Sequence, residues 1–294
     1  MPHLQLTLDI GPRDPAAYED ALFALGALSV TLEDAADDPV LEPAPGATPL
    51  WPTVVVKALF DAAADPVAIV AALAAELPGG AVPRAEVVPD KAWEREWLRD
   101  FSPMRFGHRL WVCPGGMPAG DAEAIRIELD PGLAFGSGTH PTTALCLEWL
   151  DAQPLAGASV VDYGCGSGIL AIAAARLGAR HVRAVDIDPQ ALIATVGNAV
   201  RNGVAHVIEA TGDPRLAPAG ADALLANILA GPLVELAPRF AEAVTPGGRI
   251  ALSGLLREQA DAVTAAYRPC FHIGPAIERD GWMLLAGHRL GHPR

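Results

Sequence analysis

The 294-residue sequence predicts an α/β protein, in which a parallel sheet covered by helices on both faces follows a smaller α+β domain. Three observations support this prediction. Strand and helix signals alternate from about Arg109 onwards, as in a doubly wound, Rossmann-like sheet. The first ninety residues follow the order βαββαβ, which is typical of a ferredoxin-like domain. A glycine-rich turn separates an apolar strand from a helix at residues 160–170, as in ligand-binding α/β sheets.

The predicted amino-terminal domain covers residues 1–90. Apolar residues at alternate positions from Leu4 to Ile10 predict a half-buried strand. Asp14 followed by Pro15 is typical of a helix start, with an N-cap residue before a proline. The remaining predicted elements are strands at 29–32, 53–60 and 85–88 and a helix at 65–77. The acidic, proline-rich stretch 33–52 predicts an exposed loop.

A helix is predicted to link the two domains over residues 91–105. Residues 91–101 (KAWEREWLRDF) contain neither glycine nor proline, and Pro103 is expected to end the helix. Trp93 and Trp97 lie four residues apart and therefore share one helical face. Packing against a domain is a better explanation for these tryptophans than direct contact with a substrate.

The second predicted domain covers residues 106–294. Its predicted strands are 110–113, 125–128, 159–163, 182–187, 206–210, 223–228 and 249–253, and its predicted helices are 142–150, 169–177, 189–202, 232–243 and 257–267. Two last strands, at 271–275 and 282–287, have no helix between them. An antiparallel hairpin is therefore predicted at the end of an otherwise parallel sheet.

Composition and charge exclude several classes of protein. Hydrophobic residues make up 51% of the chain and charged residues 19%, which excludes a disordered or fibrous protein. The longest apolar stretches, around residues 67–75, are much shorter than the roughly 20 residues of a membrane helix. The first residues have no signal-peptide pattern, so we expect a cytoplasmic protein. The four cysteines have neither metal-type nor disulfide-type spacing, so no metal site is expected.

The net charge of −14 argues against a general binder of nucleic acids or anionic membranes. The charge is uneven, because residues 1–100 hold 6 basic and 17 acidic side chains, a net charge of −11. This acidity has two explanations, which are solubility and attraction of a basic partner.

The most specific local pattern is VVDYGCGSGIL at residues 160–170, where an apolar strand leads through Asp162 into a turn with Gly164, Gly166 and Gly168. Glycines there allow a tight turn and the close approach of a ligand. The pattern differs from the dinucleotide pattern Gly-x-Gly-x-x-Gly, because Ile169 stands where the third glycine would fall. A carboxylate disfavours the pyrophosphate of NAD and favours a cofactor with ammonium and sulfonium groups, so S-adenosylmethionine fits better than NAD.

Two further strand ends carry polar residues. Asp186 ends the next strand, 22 residues after Gly164, which is the spacing typical of an acid that binds ribose hydroxyls. Asn227 ends a third strand, and its amide can both accept a hydrogen bond from an amine and donate one. The alternative is that Asn227 caps the following helix. Because the carboxyl ends of parallel strands meet at one edge, we expect a ligand site there.

The loop at residues 130–143 (DPGLAFGSGTHPTT) contains more glycine, proline and threonine than a plain connection needs. As a cover over the cofactor it would supply hydroxyl groups from Thr142 or Thr143 at the start of a helix. We interpret His140 as a structural hydrogen-bonding residue in preference to a general base. We interpret Cys165 as a small buried residue in preference to a nucleophile.

With these residues assembled, the chain closely resembles the PrmA family of ribosomal protein methyltransferases. The resemblance is strong over residues 130–143, 160–170, 185–189 and 227–232, and looser elsewhere in residues 91–294. The combination of FGSGTHPTT with NILA is far more specific than the glycine turn. Ser137 stands where many members have threonine, which keeps a hydroxyl group.

The resemblance implies a class I methyltransferase domain that binds S-adenosylmethionine, joined by a mobile linker to an amino-terminal substrate-recognition domain. It also implies which residues contact the cofactor, with Asp186 on the ribose, Gly164 near the methionine part, and Thr143 and Asn227 at the reactive end. Gly166 lies in the same cofactor-binding turn. The implied substrate is a large-subunit ribosomal protein, of which the family trimethylates lysine ε-amines and an α-amine.

The implied mechanism is in-line transfer of a methyl group from sulfur to a neutral amine, which Asn227 would orient. The sequence identifies no certain general base. Two alternatives remain open, which are methylation of a nucleic-acid base or small molecule on the same fold and a non-catalytic module that assists ribosome assembly. An aromatic residue after the asparagine would favour a planar base, but Ile228 and Leu229 follow here.

Overall fold

The computed structural model describes residues 2–36, 50–77, 80–89, 102–121, 123–129, 140–214 and 220–291. The chain forms two compact units, an amino-terminal unit (Met1–Glu96) and a carboxyl-terminal unit (Trp97–Arg294). Residues 90–101 lie outside the described residues, so the linker helix with Trp93 and Trp97 remains a prediction.

The amino-terminal unit has the predicted βαββαβ order. Its elements are β1 (His3–Gly11), α1 (Pro15–Ala24), β2 (Ser29–Asp34), β3 (Val54–Asp61), α2 (Pro66–Glu76) and β4 (Arg84–Val88). The sheet is antiparallel in the order β2-β3-β1-β4, which confirms the ferredoxin-like arrangement. Every second residue of β1 from Leu4 to Ile10 is buried, as the alternation in the sequence predicts. The side chains of Asp14 and Asp65 cap the two helices.

The carboxyl-terminal unit begins with a small sheet of three strands, β5 (Met104–Phe106), β6 (Leu110–Pro114) and β7 (Ile125–Leu129). The sequence predicts β6 and β7 but does not distinguish them from strands of the central sheet, and it does not predict β5. The buried carboxylate of Asp151 anchors the β5–β6 turn, because it accepts hydrogen bonds from the backbone of His108 and the side chain of Arg109.

The central sheet has the strand order β10-β9-β8-β11-β12-β15-β13. Its strands are β8 (Ser159–Tyr163), β9 (His181–Val185), β10 (Ile208–Thr211), β11 (Ala221–Asn227), β12 (Val244–Leu256), β13 (Phe271–Ile273), β14 (Ile277–Arg279) and β15 (Trp282–Arg289). The strands from β10 to β12 pair in parallel, and β15 pairs antiparallel with β12, β13 and β14. The predicted parallel sheet with an antiparallel end is confirmed, and β14 is an addition that the polar sequence IER does not reveal.

Helices cover both faces of this sheet. They are α3 (Pro141–Asp151), α4 (Ile169–Arg176), α5 (Pro189–Arg201), α6 (Ala230–Ala243) and α7 (Ala260–Tyr267). Successive residues of a central strand enter different cores, since Val160 packs with α3 and α4 and Val161 packs with α6 and α7. Burial on both faces explains why consecutive residues are apolar in these strands, at positions 160–161 of β8 and 223–226 of β11. The helix predicted at 257–267 begins instead with a short 3₁₀ turn, Arg257–Gln259.

None of the described helices has the length and hydropathy that crossing a bilayer requires. All four cysteines are free, and Cys270 is exposed while the other three are buried. The described residues include no group of three or more histidine, cysteine, aspartate or glutamate side chains that could hold a metal ion.

Candidate functional site

The site lies where the strand order of the central sheet reverses. From β8 the chain proceeds to β9 and β10 on one side and then returns to place β11 on the other side of β8. Such a switch point leaves a crevice at the carboxyl ends of the strands, where α/β proteins bind ligands. Gly164, Asp186 and Asn227 follow or end β8, β9 and β11, so the structure brings together three of the residues that the sequence predicts.

The glycine turn after β8 has a backbone that only glycine adopts easily. Gly164, Gly166 and Gly168 all have φ in the left-handed region, at 79°, 54° and 80°. A β-carbon on Gly168 would also lie 2.8 Å from the hydroxyl oxygen of Thr195, which in turn donates a hydrogen bond to the carbonyl of Gly166. The turn is therefore fixed by its own backbone and by α5, independently of a ligand.

Asp186 is tied directly to this turn. Its Oδ2 accepts a hydrogen bond of 2.9 Å from the backbone N–H of Gly166, and its Oδ1 accepts one of 3.0 Å from the N–H of Asp188. The side chain is half-buried. Two backbone donors therefore hold the carboxylate at the end of β9, which suits a group that must bind a ligand without first being ordered.

Asp162 is the most perturbed acid of the site. It is 1% exposed, and its Oδ2 accepts a hydrogen bond of 2.9 Å from the N–H of Ala171. Its Oδ1 is buried and has no hydrogen-bond partner among the described residues. The pKa of Asp162 is raised to about 7, mainly by burial. The hydrogen bond from Ala171 acts in the opposite direction, and the negative charge of Asp186 contributes to the increase. A cation near this carboxyl group would favour its ionised form.

Asn227 and Thr143 meet on the other side of the turn. The amide Nδ2 of Asn227 donates a hydrogen bond of 3.4 Å to the hydroxyl oxygen of Thr143. Thr143 is 1% exposed in the first turn of α3, whereas Asn227 is half-buried at the end of β11. The structure thus places together the two residues predicted for the reactive end. The cover loop at residues 130–139 lies outside the described residues.

His140 is the N-cap residue of α3, which confirms its interpretation as a structural hydrogen-bonding residue. Its Nδ1 accepts from the N–H of Thr142 at 3.3 Å and lies 2.7 Å from the Thr142 hydroxyl. Burial lowers the pKa of His140, so the ring is neutral near pH 7, and an accepting Nδ1 leaves its proton on Nε2. A ring in this tautomer has no free nitrogen to act as a base.

Trp282 is a neighbour of the site that the sequence does not identify. Trp282 is the first residue of β15, and the centroid of its ring lies 4.8 Å from the centroid of the His140 ring in an edge-on arrangement. This contact brings the carboxyl-terminal hairpin to the start of α3. No local pattern could reveal it, because the two residues are far apart in the sequence and meet only in the folded sheet.

Cys165 is buried inside the glycine turn, and its sulfur lies 3.3 Å from the hydroxyl oxygen of Thr195. Burial raises the pKa of this thiol, and the nearby Asp162 raises it further. A protonated, buried thiol is a poor nucleophile. The interpretation of Cys165 as a small buried residue is therefore confirmed.

Comparison with known proteins gives consistent results. The family model "Ribosomal protein L11 methyltransferase (PrmA)" matches residues 2–290 of the chain. A ribosomal protein L11 methyltransferase of Pseudomonas putida (strain W619) is 53% identical over 294 residues, which cover 98% of this chain and 100% of the relative. One of Pseudomonas aeruginosa (strain LESB58) is 53% identical over 296 residues, which cover 98% of this chain and 99% of the relative.

Among solved structures, the chain is similar to a crystal structure of ribosomal protein L11 methylase from Lactobacillus delbrueckii subsp. bulgaricus. The TM-score is 0.60 and the sequence identity is 32%. The match covers 65% of this chain and all of that chain.

Proposed function

Because the chain belongs to the ribosomal protein L11 methyltransferase (PrmA) family, we propose that it methylates lysine ε-amines and the N-terminal α-amine of its substrate, up to the trimethylated state. The chain is an S-adenosylmethionine-dependent methyltransferase, and its substrate is the large-subunit ribosomal protein L11. The observation that carries the assignment to amines is the Asn227 amide, held by Thr143 beside the glycine turn. The proposed location of this activity is the cytoplasm.

The residues present fit S-adenosylmethionine. The ordered carboxylate of Asp186 is suited to accept hydrogen bonds from ribose hydroxyls. The unpartnered Oδ1 of Asp162 is suited to the positively charged methionine part of S-adenosylmethionine. The pyrophosphate of NAD is negatively charged and would not be favoured by this carboxylate. Gly164 and Gly166 complete the proposed binding turn, and Thr143 and Asn227 line its reactive end. When bound, the cofactor supplies a methyl group activated by a sulfonium.

In the proposed mechanism, Asn227 orients the target amine. Its Nδ2 is directed to Thr143, so its Oδ1 is the atom that can accept a hydrogen bond from the amine. That hydrogen bond points the nitrogen lone pair at the methyl group, which lowers the barrier by positioning. A lysine has a reference pKa of about 10.4 and must lose a proton before it attacks.

His140 does not act as the base in this mechanism, because its Nδ1 is occupied and its Nε2 carries the proton. Water that reaches the half-buried Asn227 removes the proton in its place. Successive methylations require the amine to rotate about its carbon–nitrogen bond between rounds. The hydrogen bond to Asn227 orients the first two rounds. In the third round the neutral dimethylated amine has no N–H left to donate, so its orientation depends on the fit of its methyl groups in the site.

We assign residues 1–90 to recognition of the substrate, residues 91–105 to the linker and residues 106–294 to methyl transfer. The net charge of −11 over residues 1–100 supports a basic partner, since ribosomal proteins are typically basic. Methylation of a nucleic-acid base is less consistent with the site, because Ile228 and Leu229 after Asn227 provide no aromatic ring for stacking.

One experiment tests the proposal against both alternatives. The purified full chain is incubated with isotopically labelled S-adenosylmethionine, free ribosomal protein L11 and ribosomal RNA, and the label is mapped by mass spectrometry. We expect label on lysine and N-terminal amines of L11 and a strong reduction with Asn227→Ala. Label on RNA would favour the base methyltransferase, and the absence of label from both would favour a binding module.

A further inference from the structure

Ile228, the residue after Asn227, packs its side chain directly onto the glycine turn. A β-carbon on Gly164 would overlap Cγ2 of Ile228, so the missing side chain of Gly164 leaves the space that this methyl group fills. Gly164 has φ of 79° and follows β8, whereas Ile228 follows β11. The contact therefore links the ends of the two strands that flank the switch point.

A second glycine, Gly254, packs closely against the backbone of Ile228. A β-carbon on Gly254 would overlap the carbonyl oxygen of Ile228 and lie 2.8 Å from its carbonyl carbon and 2.9 Å from its nitrogen. Gly254 has φ of 87° and lies where the pairing of β12 with β15 shifts register. The N–H of Ile228 also donates a hydrogen bond of 3.1 Å to the carbonyl of Ser253.

These contacts determine how the chain leaves β11. Pairing with β8 ends at Ala226, pairing with β12 ends at Asn227, and α6 begins at Ala230 without a side-chain cap. Between the strand and the helix, the packing of Ile228 therefore fixes the direction of the backbone and with it the position of the Asn227 amide. A β-branched side chain suits this task, because its χ1 angle is restricted.

We propose that Ile228, held between Gly164 and Gly254, is a positioning residue that sets the Asn227 amide relative to the glycine turn. The proposal rests on the proposed role of Asn227 in orienting the amine.

Two conservative substitutions separate positioning from packing. Ile228→Val removes volume but keeps Cγ2, whereas Ile228→Leu keeps volume but moves the branch point away from the Gly164 contact. If Ile228 positions Asn227, we expect the valine variant to keep kcat within about twofold and the leucine variant to lose roughly tenfold or more in kcat. KM for S-adenosylmethionine should change much less, because Asp186 and Asp162 are untouched.

Ile273 provides a matched control. It is half-buried and packs against the same apolar core as Ile228, but it lies in β13, away from the switch point. Ile273→Val and Ile273→Leu should leave kcat unchanged. Thermal unfolding of all four full-length variants reports the cost to packing. If Ile228 had a purely structural role, kcat would fall in proportion to the loss of thermal stability across the four variants. That result would overturn the proposal, and so would a normal kcat in Ile228→Leu.

A double-mutant cycle with Asn227→Ala tests the proposed route. If Ile228 acts through Asn227, Ile228→Leu should lower kcat much less in the Asn227→Ala background than in the wild type. Additive effects would overturn the positioning role and leave the proposed function intact. A normal kcat in Asn227→Ala alone would instead overturn the role of Asn227 and the positioning inference with it.

Discussion

The amide nitrogen of Asn227 lies 3.4 Å from the hydroxyl oxygen of Thr143, a residue 84 positions earlier in the chain. This hydrogen bond joins the end of β11 to the first turn of α3 and fixes which atom of the amide remains available to a substrate. Two elements that are distant in sequence thus determine the polarity of the reactive end of the site.

Replacing Thr143 by valine should lower kcat by about tenfold, because the amide of Asn227 loses its acceptor and an amine is then poorly oriented. Thr143→Ser keeps the hydroxyl and should retain most of the activity. Steady-state kinetics at saturating cofactor, with thermal unfolding as a control of the fold, measures both. Equal activity of the valine and serine variants would contradict an orienting role for the hydroxyl.

Asp186→Asn should raise KM for S-adenosylmethionine by roughly tenfold and affect kcat at saturation much less. An amide has one oxygen, so it cannot accept from both Gly166 and Asp188 and still offer an acceptor to ribose hydroxyls. Isothermal titration of the cofactor measures the change in affinity directly.

Asp188→Ala is the appropriate comparison for this variant. Asp188 caps α5 through the N–H of Gln190, so its loss should cost about 1 kcal/mol of stability. Cofactor affinity should stay close to that of the wild type. If both variants bound the cofactor equally weakly, Asp186 would have only a structural role in the turn.

The stability of the protein should depend on the charge state of Asp162. Burial raises its pKa to about 7 in the folded state, whereas an unfolded chain has a value near 3.9. Between these values the folded state keeps a proton that the unfolded state has lost, so the contribution of Asp162 to stability falls as pH rises from about 4 to 7. Asp162→Asn should flatten this part of the profile in urea unfolding.

Cofactor binding should show the opposite trend with pH. A positively charged ligand near Asp162 favours the ionised form, so affinity for S-adenosylmethionine should rise between about pH 6 and 8. The Asp162→Asn variant should bind more weakly and without this rise. A wild-type affinity that is constant across the range would argue against an interaction between the carboxylate and the cofactor.

Acidic residues of the amino-terminal unit should govern the rate at which the substrate associates. Three of them are neutralised by Asp20→Asn, Asp38→Asn and Glu76→Gln. This triple variant should associate with L11 several-fold more slowly than the wild type at low salt. At high salt the two rates should be similar, because screening removes the attraction from the wild type and the variant alike. Stopped-flow measurements across a range of ionic strength report both the rate and its salt dependence.

The same change of charge in the carboxyl-terminal unit provides a control. Glu235→Gln, Glu242→Gln and Asp261→Asn alter exposed residues of α6 and α7 and should slow association less. If the two triple variants slowed association equally, the overall charge of the chain, and not the amino-terminal unit, would attract the substrate. If neither variant changed the rate, the acidic residues would serve solubility alone.

The sequence predicted the parts of the site that depend on local patterns. Glycines at 164, 166 and 168 are required by the five-residue turn between β8 and α4. Asp186 and Asn227 each stand at the end of an apolar strand, where the sequence pattern places a ligand-binding residue. The reason for one glycine differs from the expected one. The side-chain space of Gly164 is filled by Ile228 and is not left open for a ligand.

Other features depend on pairings that a local pattern does not encode. Strands β6 and β7 were predicted, but their separation into a small sheet with β5 follows from which strands pair, not from their own residues. The contact between His140 and Trp282 and the Gly254 contact with Ile228 likewise join segments that meet only after the central sheet has formed. Short polar strands such as β14 carry no apolar alternation and escape prediction for that reason.

The position of β15 in the sheet has a consequence for biosynthesis. β15 pairs with β12, and its first residue, Trp282, packs on His140 at the start of α3. During translation, α3 is synthesised long before β15. Contacts of such long sequence separation form late, so a nascent chain that lacks β15 has every proposed cofactor-binding residue but an incomplete support for Thr143. An enzyme that modifies a component of the ribosome would therefore acquire its activity only after a ribosome has translated this domain through its last strand.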